Sequence, residues 1–223
     1  MQDKPTIAII GGTGDLGSGL ARLLARAGYP VVIGSRERTK AEQSAAVLSS
    51  QIGGEIGGDS NRNAAASGNI VLLCVPYLNH DAQLEEIKPV MNGKVFVDAV
   101  VPLIPPKVSV VQLPPAGSPA LVAQHVLGPQ VRVVAAFHNV AAKKLHRGEK
   151  ADCDVLVFSD DADARGQVIA LADVVATRGV DGGVLANAVA AEALTSVLIA
   201  INRRYKIAGA GIRITGLPMP GPR

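Results

Sequence analysis

Short apolar runs alternate with helical patterns along the first hundred residues of the chain. Uninterrupted apolar runs at residues 6–10, 31–33, 70–75 and 95–98 predict strands that are buried on both faces. Between the first two runs, leucines recur at helical spacing from Leu16 to Leu24, and Gly28 follows where a helix should end. This alternation is typical of βαβ units around a parallel sheet.

The pattern continues into the second half of the chain. Helices are predicted at residues 39–51, 79–88 and 120–127, and strands at residues 131–136 and 155–158. A weak edge strand is expected in the glycine-rich connection at residues 53–58. Six prolines between residues 102 and 119 exclude a central strand or a helix, so that stretch should form a loop or lid at the border of a site.

The last long element, residues 185–205, is apolar on nearly every face, which predicts burial on all sides. Leu194, Val197 and Leu198 should therefore pack either inside the molecule or against a second subunit, and a homodimer is the expected assembly. The stretch contains Asn187 and Glu192 and falls short of the roughly 20 uninterrupted apolar residues of a membrane span. No membrane anchor is predicted.

Together these elements predict an α/β fold, in which a Rossmann-type, doubly wound parallel sheet carries a small C-terminal helical appendage. Open sheets of this kind bind ligands at the carboxyl ends of their strands. The residues that follow each predicted strand are therefore the candidate site residues.

The amino-acid composition indicates which classes of binding partner the protein can have. Hydrophobic residues make up 48% of the chain and charged residues 18%, which is typical of a globular protein. Aromatic residues are only 3%, and the excess of three positive charges is scattered, so no nucleic-acid partner is predicted. Cys74 and Cys153 are far apart and lack metal-ligand spacing, which argues against a metal site or a disulfide framework and favours a reducing cytoplasm.

The sequence Gly12-Thr13-Gly14-Asp15-Leu16-Gly17 directly follows the first strand and opens a helix. In that context a G-x-G-x-x-G pattern predicts a dinucleotide site, with Gly12 for the tight turn, Gly14 for the approach of a pyrophosphate and Gly17 for helix packing. The N-terminus of the helix adds unpaired N–H groups and a positive dipole end. The alternative is a glycine-rich turn without function.

The second strand ends in Gly34-Ser35-Arg36, where an NAD site would carry a carboxylate for the ribose 2′-hydroxyl. Arg36 and Ser35 can instead hold a 2′-phosphate, and Lys40 lies one helical turn further along. NADP is therefore favoured over NAD. A solvated Ser-Arg turn is the alternative.

Other residues also follow predicted strands. Val75-Pro76 and Val101-Pro102 could stiffen loops beside a nicotinamide, although such prolines also simply end strands. His138, in Phe137-His138-Asn139, is either a hydrogen-bond donor in the cleft or a satisfied core histidine. Neither a Ser-His-Asp arrangement nor a Tyr-x-x-x-Lys pair is evident, and His80, His125 and His146 show no metal or catalytic spacing. We therefore predict no metal and assign no catalytic residue with certainty.

Several of these motifs together resemble the NADPH-dependent reductases of the deazaflavin coenzyme F420. The resemblance rests on the glycine-rich opening from Gly11, the Gly34-Ser35-Arg36 strand end, the Phe137-His138-Asn139 turn, and the C-terminal runs at residues 201–206 and 211–216. It covers almost the whole chain except the tail from Pro218. One departure is that some members carry Ser and Arg where this chain has Ala188 and Val189.

The resemblance implies a role for individual residues. Thr13, Gly14, Asp15 and Leu16 would cradle the pyrophosphate, while Ser35, Arg36 and Lys40 would hold the 2′-phosphate. The nicotinamide side would be lined by Val75, Pro76, Val101, Pro102 and Ala142. The deazaflavin would lie beyond, against His138, Asn139 and the C-terminal helices.

The resemblance also implies a domain plan, a reaction and its cofactors. Residues 1–150 would form an NADP-binding Rossmann domain, residues 151–217 a strand and helix region that completes the deazaflavin site, and residues 218–223 a tail. The reaction would be reversible hydride transfer between C4 of NADPH and C5 of coenzyme F420, two small-molecule cosubstrates. Alternatives are an NADP-dependent reductase of an imine, keto acid or metal chelate, and a non-catalytic NADP(H) sensor, which needs no second ring pocket.

Overall fold

The computed structural model describes residues 4–218. Within this part of the chain, eight strands form a single sheet in the order β3-β2-β1-β4-β5-β6-β7-β8. The strands are β1 (Ile7–Ile10), β2 (Val31–Ser35), β3 (Gly57–Ser60), β4 (Ile70–Leu73), β5 (Val95–Asp98), β6 (Arg132–Ala135), β7 (Ala151–Phe158) and β8 (Ala176–Gly183). The predicted apolar runs and the weak edge strand are all present.

Helices cover both faces of the sheet, which confirms the doubly wound α/β fold. They are α1 (Asp15–Arg26), α2 (Arg38–Ile52), α3 (Asn61–Ser67), α4 (His80–Ile87), α5 (Pro119–Leu127), α6 (Ala142–His146), α7 (Ala162–Val175) and α8 (Ala188–Tyr205). Leu20 and Leu24 of α1 pack on one face of β1 with Ile7 and Ile9, and Leu84 of α4 packs on the other with Ala8 and Ile10. Because both faces are covered, β1, β4 and β5 are buried along their full length.

The sheet departs from a wholly parallel arrangement at one junction, where β6 and β7 run antiparallel. The other strand pairs are parallel, as predicted, and this junction differs because α6 does not cross back over the sheet. Leu145 of α6 lies so close to α1 that a Cβ on Gly19 would be 2.5 Å from it. The chain therefore stays near the end of β6 and enters β7 from that end.

The strands β7 and β8 belong to the same sheet as β1 to β6. The boundary proposed at residue 150 therefore falls in the connection between α6 and β7, and the second region extends the sheet of the first. Of the proposed tail, only Pro218 is described, and residues 219–223 lie outside the described part of the chain.

Helix α8 is buried on one side only, which corrects the expectation that it is buried all round. Ala188, Ala191, Glu192, Ser196 and Leu198 are buried, whereas Val197 is 43% exposed. An internal position is therefore wrong for Val197. The apolar residues on the outer side of α8 face solvent in a single copy of the chain.

Candidate functional site

Three glycines in the turn after β1 and the first turn of α1 are required by backbone conformation or close contacts. Gly11, with a φ of +77°, is the residue that makes the left-handed turn, a role that the sequence pattern gave to Gly12. A Cβ on Gly12 would lie 2.5 Å from Cβ of Ile33, and one on Gly17 would lie 2.6 Å from the Gly11 carbonyl oxygen. Gly14 has only the Gly11 oxygen nearby, at 3.5 Å, so its outer side is open to a ligand.

The first of three cavities lies at the ends of β1 and β2 and has a volume of about 330 Å³. Its lining includes Thr13, Gly14, Ser35, Arg36 and Lys40, so the structure brings together five of the predicted site residues. Arg36 and Lys40 are exposed, and neither has an ion pair among residues 4–218. Two unpaired cations beside the N-terminus of α1 fit a phosphate-rich nucleotide.

The second cavity, of about 460 Å³, lies at the ends of β4 and β5 and is mainly apolar. Gly14 lines it as well as the first cavity, and Asp15, Leu16, Val75, Pro76 and Val101 complete the part predicted from the sequence. Pro102 is buried behind this lining and is not part of it. The structure therefore brings these predicted residues together around one mainly apolar cavity.

The third cavity, of about 570 Å³, lies between α6 and α8. It shares Asp15 with the second cavity and is lined by His138, Asn139 and Thr195, together with residues 207–210 that follow α8. Ala142 lies here and not on the nicotinamide side, where the resemblance placed it. Lys143, Lys144 and Arg147 contribute positive charge to the wall.

His138 is 4% exposed and follows Phe137, whose φ of +67° is unusual for a bulky residue. Its Nε2 lies 3.1 Å from the Asp98 carbonyl oxygen, and its Nδ1 is buried with no hydrogen-bond partner in the described part of the chain. Because a carbonyl only accepts, Nε2 carries the proton and Nδ1 is an acceptor. Burial lowers the pKa of His138 to about 4, so the ring is neutral. Of the two alternatives for His138, the ring donates to the protein, as a core histidine does, and the nitrogen left without a partner among residues 4–218 is an acceptor.

Asn139 and Thr195 hold the backbone of this wall. The Asn139 amide donates to the Asp154 carbonyl oxygen at 2.7 Å, and the Thr195 hydroxyl donates to the His138 carbonyl oxygen at 2.8 Å. Ala188 and Val189, where some family members carry polar residues, do not line the third cavity. The polar groups of this cavity therefore come from the turn after β6, from α6 and from the middle of α8.

Beneath the three cavities lies a buried pair that sequence reasoning missed. His80 Nε2 lies 2.7 Å from Asp98 Oδ2, and both side chains are at most 1% exposed. Glu192, also 1% exposed, accepts hydrogen bonds from the Ser118 hydroxyl at 2.8 Å and the Ala120 N–H at 3.3 Å. No motif spacing joins these residues. The only signal was that Asp98 ends a predicted strand.

Metal binding and thiol chemistry receive no support. Among residues 4–218, no group of three or more His, Cys, Asp or Glu side chains is arranged to hold a metal ion. Cys74 and Cys153 are both free, and burial raises the pKa of Cys74 to about 12 and that of Cys153 to about 11. The protonated thiols are poor nucleophiles at neutral pH.

One helical stretch, Leu185–Tyr205, is long and apolar enough to cross a membrane by length and composition. Core helices of globular proteins pass the same test. Here Glu192 lies inside the stretch and hydrogen-bonds to Ser118, and Ala188 and Ala191 pack in the core with Ala120 and Phe158. These contacts are those of a helix that packs against a sheet.

The sequence and fold match one group of known proteins. Residues 6–102 match the family described as NADP oxidoreductase, coenzyme F420-dependent. The chain is 40% identical over 95% of its length to an F420-dependent NADP reductase of Methanocaldococcus jannaschii, and 38% identical over 95% to one of Methanothermobacter thermautotrophicus. It spans 98% and 95% of those relatives.

A solved structure from Arthrobacter sp. FB24, described as a proposed F420-dependent NADP reductase, superposes with a TM-score of 0.76. The two chains are 25% identical, and the match covers 95% of this chain and 99% of the other. The likeness therefore extends through β7, β8 and α8 and is not confined to the nucleotide-binding half. The chain belongs to the family of F420-dependent NADP reductases.

Proposed function

We propose that this chain catalyses reversible hydride transfer between C4 of NADPH and C5 of coenzyme F420. The observation that carries the proposal is the row of three adjoining cavities. Gly14 belongs to both the first and the second, and Asp15 to both the second and the third. A phosphate-binding end, an apolar middle and a second roomy pocket match a nicotinamide dinucleotide facing another ring.

The residues present fit both cosubstrates. Arg36 and Lys40 are unpaired cations at the nucleotide end, and Gly14 leaves the backbone open to a pyrophosphate. Coenzyme F420 is an acidic molecule, and Lys143, Lys144 and Arg147 lie in the wall of the third cavity. His138 lines that cavity, and its buried Nδ1, which has no partner among residues 4–218, can accept a hydrogen bond there.

The protein contributes binding, orientation and exclusion of water. The bound nicotinamide and deazaflavin supply the hydride donor and acceptor carbons, so no nucleophile or triad is needed. The apolar walls of the second cavity keep water from the transfer path, and the neutral His138 accepts a hydrogen bond without competing for a proton. Holding two rings at near-attack distance accounts for much of the rate enhancement in such reactions.

The two alternative functions, a sensor and a reductase of another substrate, agree less well with the structure and the relatives. A non-catalytic NADP(H) sensor needs no second ring pocket, and the third cavity is the largest of the three. A reductase of an imine, keto acid or metal chelate is not favoured, because the relatives that match the full chain are F420-dependent NADP reductases.

Label transfer tests the reaction. With NADPH deuterated at C4 and oxidised F420, deuterium should appear at C5 of the product without exchange with water, because direct transfer never releases the hydride. Mass spectrometry and NMR of the product measure this. Loss of the label to water, or no reduction of F420, would contradict the proposal.

A comparison of NADPH with NADH tests the assignment of Arg36 to the 2′-phosphate. The same assay with NADH should be slower, and Arg36→Ala should raise the KM for NADPH on the order of tenfold to a hundredfold while leaving NADH nearly unchanged. Equal losses with both nucleotides would show that Arg36 does not contact the 2′-phosphate.

We further propose a homodimer formed through the outer face of α8. Val197 there is 43% exposed, and Val110 and Val111 in the proline-rich loop are 56% and 42% exposed. Arg203 of α8 hydrogen-bonds to Ser109 of that loop, at 3.1 Å, so the loop lies against the C-terminal part of the helix. Exposed apolar side chains on both elements support a subunit contact there.

Sedimentation velocity over a concentration series should show a dimer, and Val197→Asp should shift it towards monomer. A monomer at every concentration would contradict the proposed dimer.

We also place the protein in the cytoplasm, a proposal supported by the free thiols of Cys74 and Cys153. The absence of nucleic-acid and membrane partners stays a prediction.

A further inference from the structure

Asp98 and His80 form a buried charged pair beneath the site. Asp98 is the last residue of β5 and is fully buried, and His80 begins α4 and is 1% exposed. His80 Nε2 lies 2.7 Å from Asp98 Oδ2, and His80 Nδ1 lies 3.1 Å from Asp81 Oδ1. Although burial opposes it, the two carboxylates raise the pKa of His80 above its usual value, which favours the imidazolium.

A buried ion pair of this kind is seldom retained for stability alone, because desolvation offsets much of its attraction. What distinguishes Asp98 is the number of groups that it fixes. Its Oδ1 accepts the N–H of Val100 at 3.0 Å, and its carbonyl oxygen accepts both the N–H of Ala136 and Nε2 of His138 at 3.1 Å.

These bonds reach two of the three cavities. Ala99 and Val101, on either side of Val100, line the second cavity, where the nicotinamide is proposed to lie. His138 lines the third cavity, where the deazaflavin is proposed to lie. Asp98 lines neither cavity, yet it is hydrogen-bonded to the walls of both.

We infer that Asp98, with His80 as its buried counter-charge, is a positioning residue that sets the spacing between the two ring-binding walls. The inference rests on the proposed function. The reacting carbons must approach to about 3–3.5 Å, and a displacement of about 1 Å costs on the order of a hundredfold in rate. The spacing between the walls affects hydride transfer more than binding. Each cosubstrate contacts mainly one wall, so it still binds when the spacing changes.

The test is Asp98→Asn, which keeps the size of the side chain but removes its charge. The amide oxygen can still accept the Val100 N–H, and the amide nitrogen can only donate to a neutral His80, so the charged pair is lost while the bonds of the Asp98 carbonyl oxygen to Ala136 and His138 remain. The expected result is a 10- to 100-fold fall in kcat, with KM for NADPH and F420 changed less than about threefold. The isotope effect on kcat with C4-deuterated NADPH should rise, since transfer becomes more rate-limiting.

Two further readouts do not depend on turnover. Titration calorimetry should give Kd values for NADP⁺ and F420 within about threefold of the parent. Amide hydrogen exchange over residues 98–101 should be faster in the variant. If Asp98→Asn does not fold, His80→Gln weakens the same pair from the other side and should show the same pattern with a smaller fall in kcat.

Ser159→Ala is the matched control. Its hydroxyl is also buried and donates a hydrogen bond, to the Val133 carbonyl oxygen at 2.6 Å, but Ser159 lines none of the three cavities. It should lower stability and leave the isotope effect and the exchange at residues 98–101 unchanged. An Asp98→Asn variant that behaves like Ser159→Ala would overturn the inference while the proposed function stands. Failure of the parent chain to transfer deuterium would overturn both.

Discussion

Arg178→Met should lower the free energy of unfolding by about 3–5 kcal/mol, because it removes the cation that holds the buried Asp154 carboxylate with two hydrogen bonds and leaves only the charge of Arg213 acting on it. Asp154 is 1% exposed, and Arg178 holds it with two hydrogen bonds, Nε to Oδ1 at 2.9 Å and Nη2 to Oδ2 at 2.8 Å. Burial works against the charge, but the bonds from Arg178 and from the Ile214 N–H lower the pKa of Asp154 overall.

The same pair anchors the C-terminal segment. Arg178 also donates to the carbonyl oxygens of Ile214 and Pro218, at 3.1 and 2.5 Å, and Asp154 Oδ2 accepts the N–H of Ile214 at 2.7 Å. Residues 207–210 of this segment line the third cavity, and Asn139 in the opposite wall donates to the Asp154 carbonyl oxygen. Arg178→Met should therefore raise the KM for F420 more than that for NADPH.

Urea denaturation and steady-state kinetics measure the two effects. Adding Asp154→Asn to Arg178→Met should recover much of the stability, because no buried charge then remains and the amide oxygen still accepts the Ile214 N–H. Arg38→Met, which breaks an exposed pair with Glu42, should leave the unfolding free energy nearly unchanged. Equal denaturation midpoints for the parent and Arg178→Met would show that the pair does not stabilise the fold.

The fold could be predicted where burial alone determines the structure. The strands β1, β4 and β5 are continuous apolar runs because both faces of each strand are covered, and such runs are legible in a sequence. Strand β8 has the sequence ATRGVDGG, which no hydrophobic pattern identifies. It is a strand because β7 offers a free edge and Arg178 is held by Asp154.

The site residues also fall into two groups, those predictable from the local sequence and those that depend on tertiary contacts. Gly14, Ser35 and Arg36 lie in a local strand-turn-helix pattern, so their placement at the nucleotide end followed from neighbouring residues. The pairing of His80 with Asp98 depends on how α4 sits against β5, and the hydrogen bond of Glu192 depends on where α8 meets α5. Such contacts join residues 18 and 74 positions apart, and no spacing rule reports them.

The burial of α8 was over-predicted for a related reason. Apolar composition on all faces predicts that each face is covered, but it does not distinguish cover by the same chain from cover by a second subunit. Val197 is exposed in a single copy of the chain, whereas Leu198 is 6% exposed against the core. The excess apolar surface supports the proposed subunit contact.

Glu192→Gln should make the protein more stable at neutral and alkaline pH while leaving it almost unchanged below about pH 4.5. Burial raises the pKa of Glu192 from 4.5 to about 7, against the lowering effect of the Ser118 hydrogen bond, and the charge of Asp98 adds to the rise. Oε2 is buried without a hydrogen-bond partner among the described residues, so ionisation there is costly.

The sign follows from proton binding. Between about pH 4.5 and pH 7 the folded state binds a proton at Glu192 that the unfolded chain has lost, so stability falls as pH rises through that window. His138, with a pKa lowered from 6.5 to about 4, acts in the opposite direction, because stability rises as pH rises from about 4 to 6.5. His80, whose pKa is raised, adds a further loss above about pH 6.5.

The difference between the parent and Glu192→Gln isolates Glu192, because both histidines are present in each. That difference in unfolding free energy should grow from near zero at pH 4.5 to about 2–3 kcal/mol at pH 8, measured by urea denaturation across the range. Glu149→Gln is the matched control. Glu149 is exposed, and its bond to Arg147 lowers its pKa, so that substitution should produce a small pH dependence of opposite sign. A difference that stays constant between pH 4.5 and pH 8 would show that Glu192 does not titrate in this window, and that the Oε2 atom has a partner in solution.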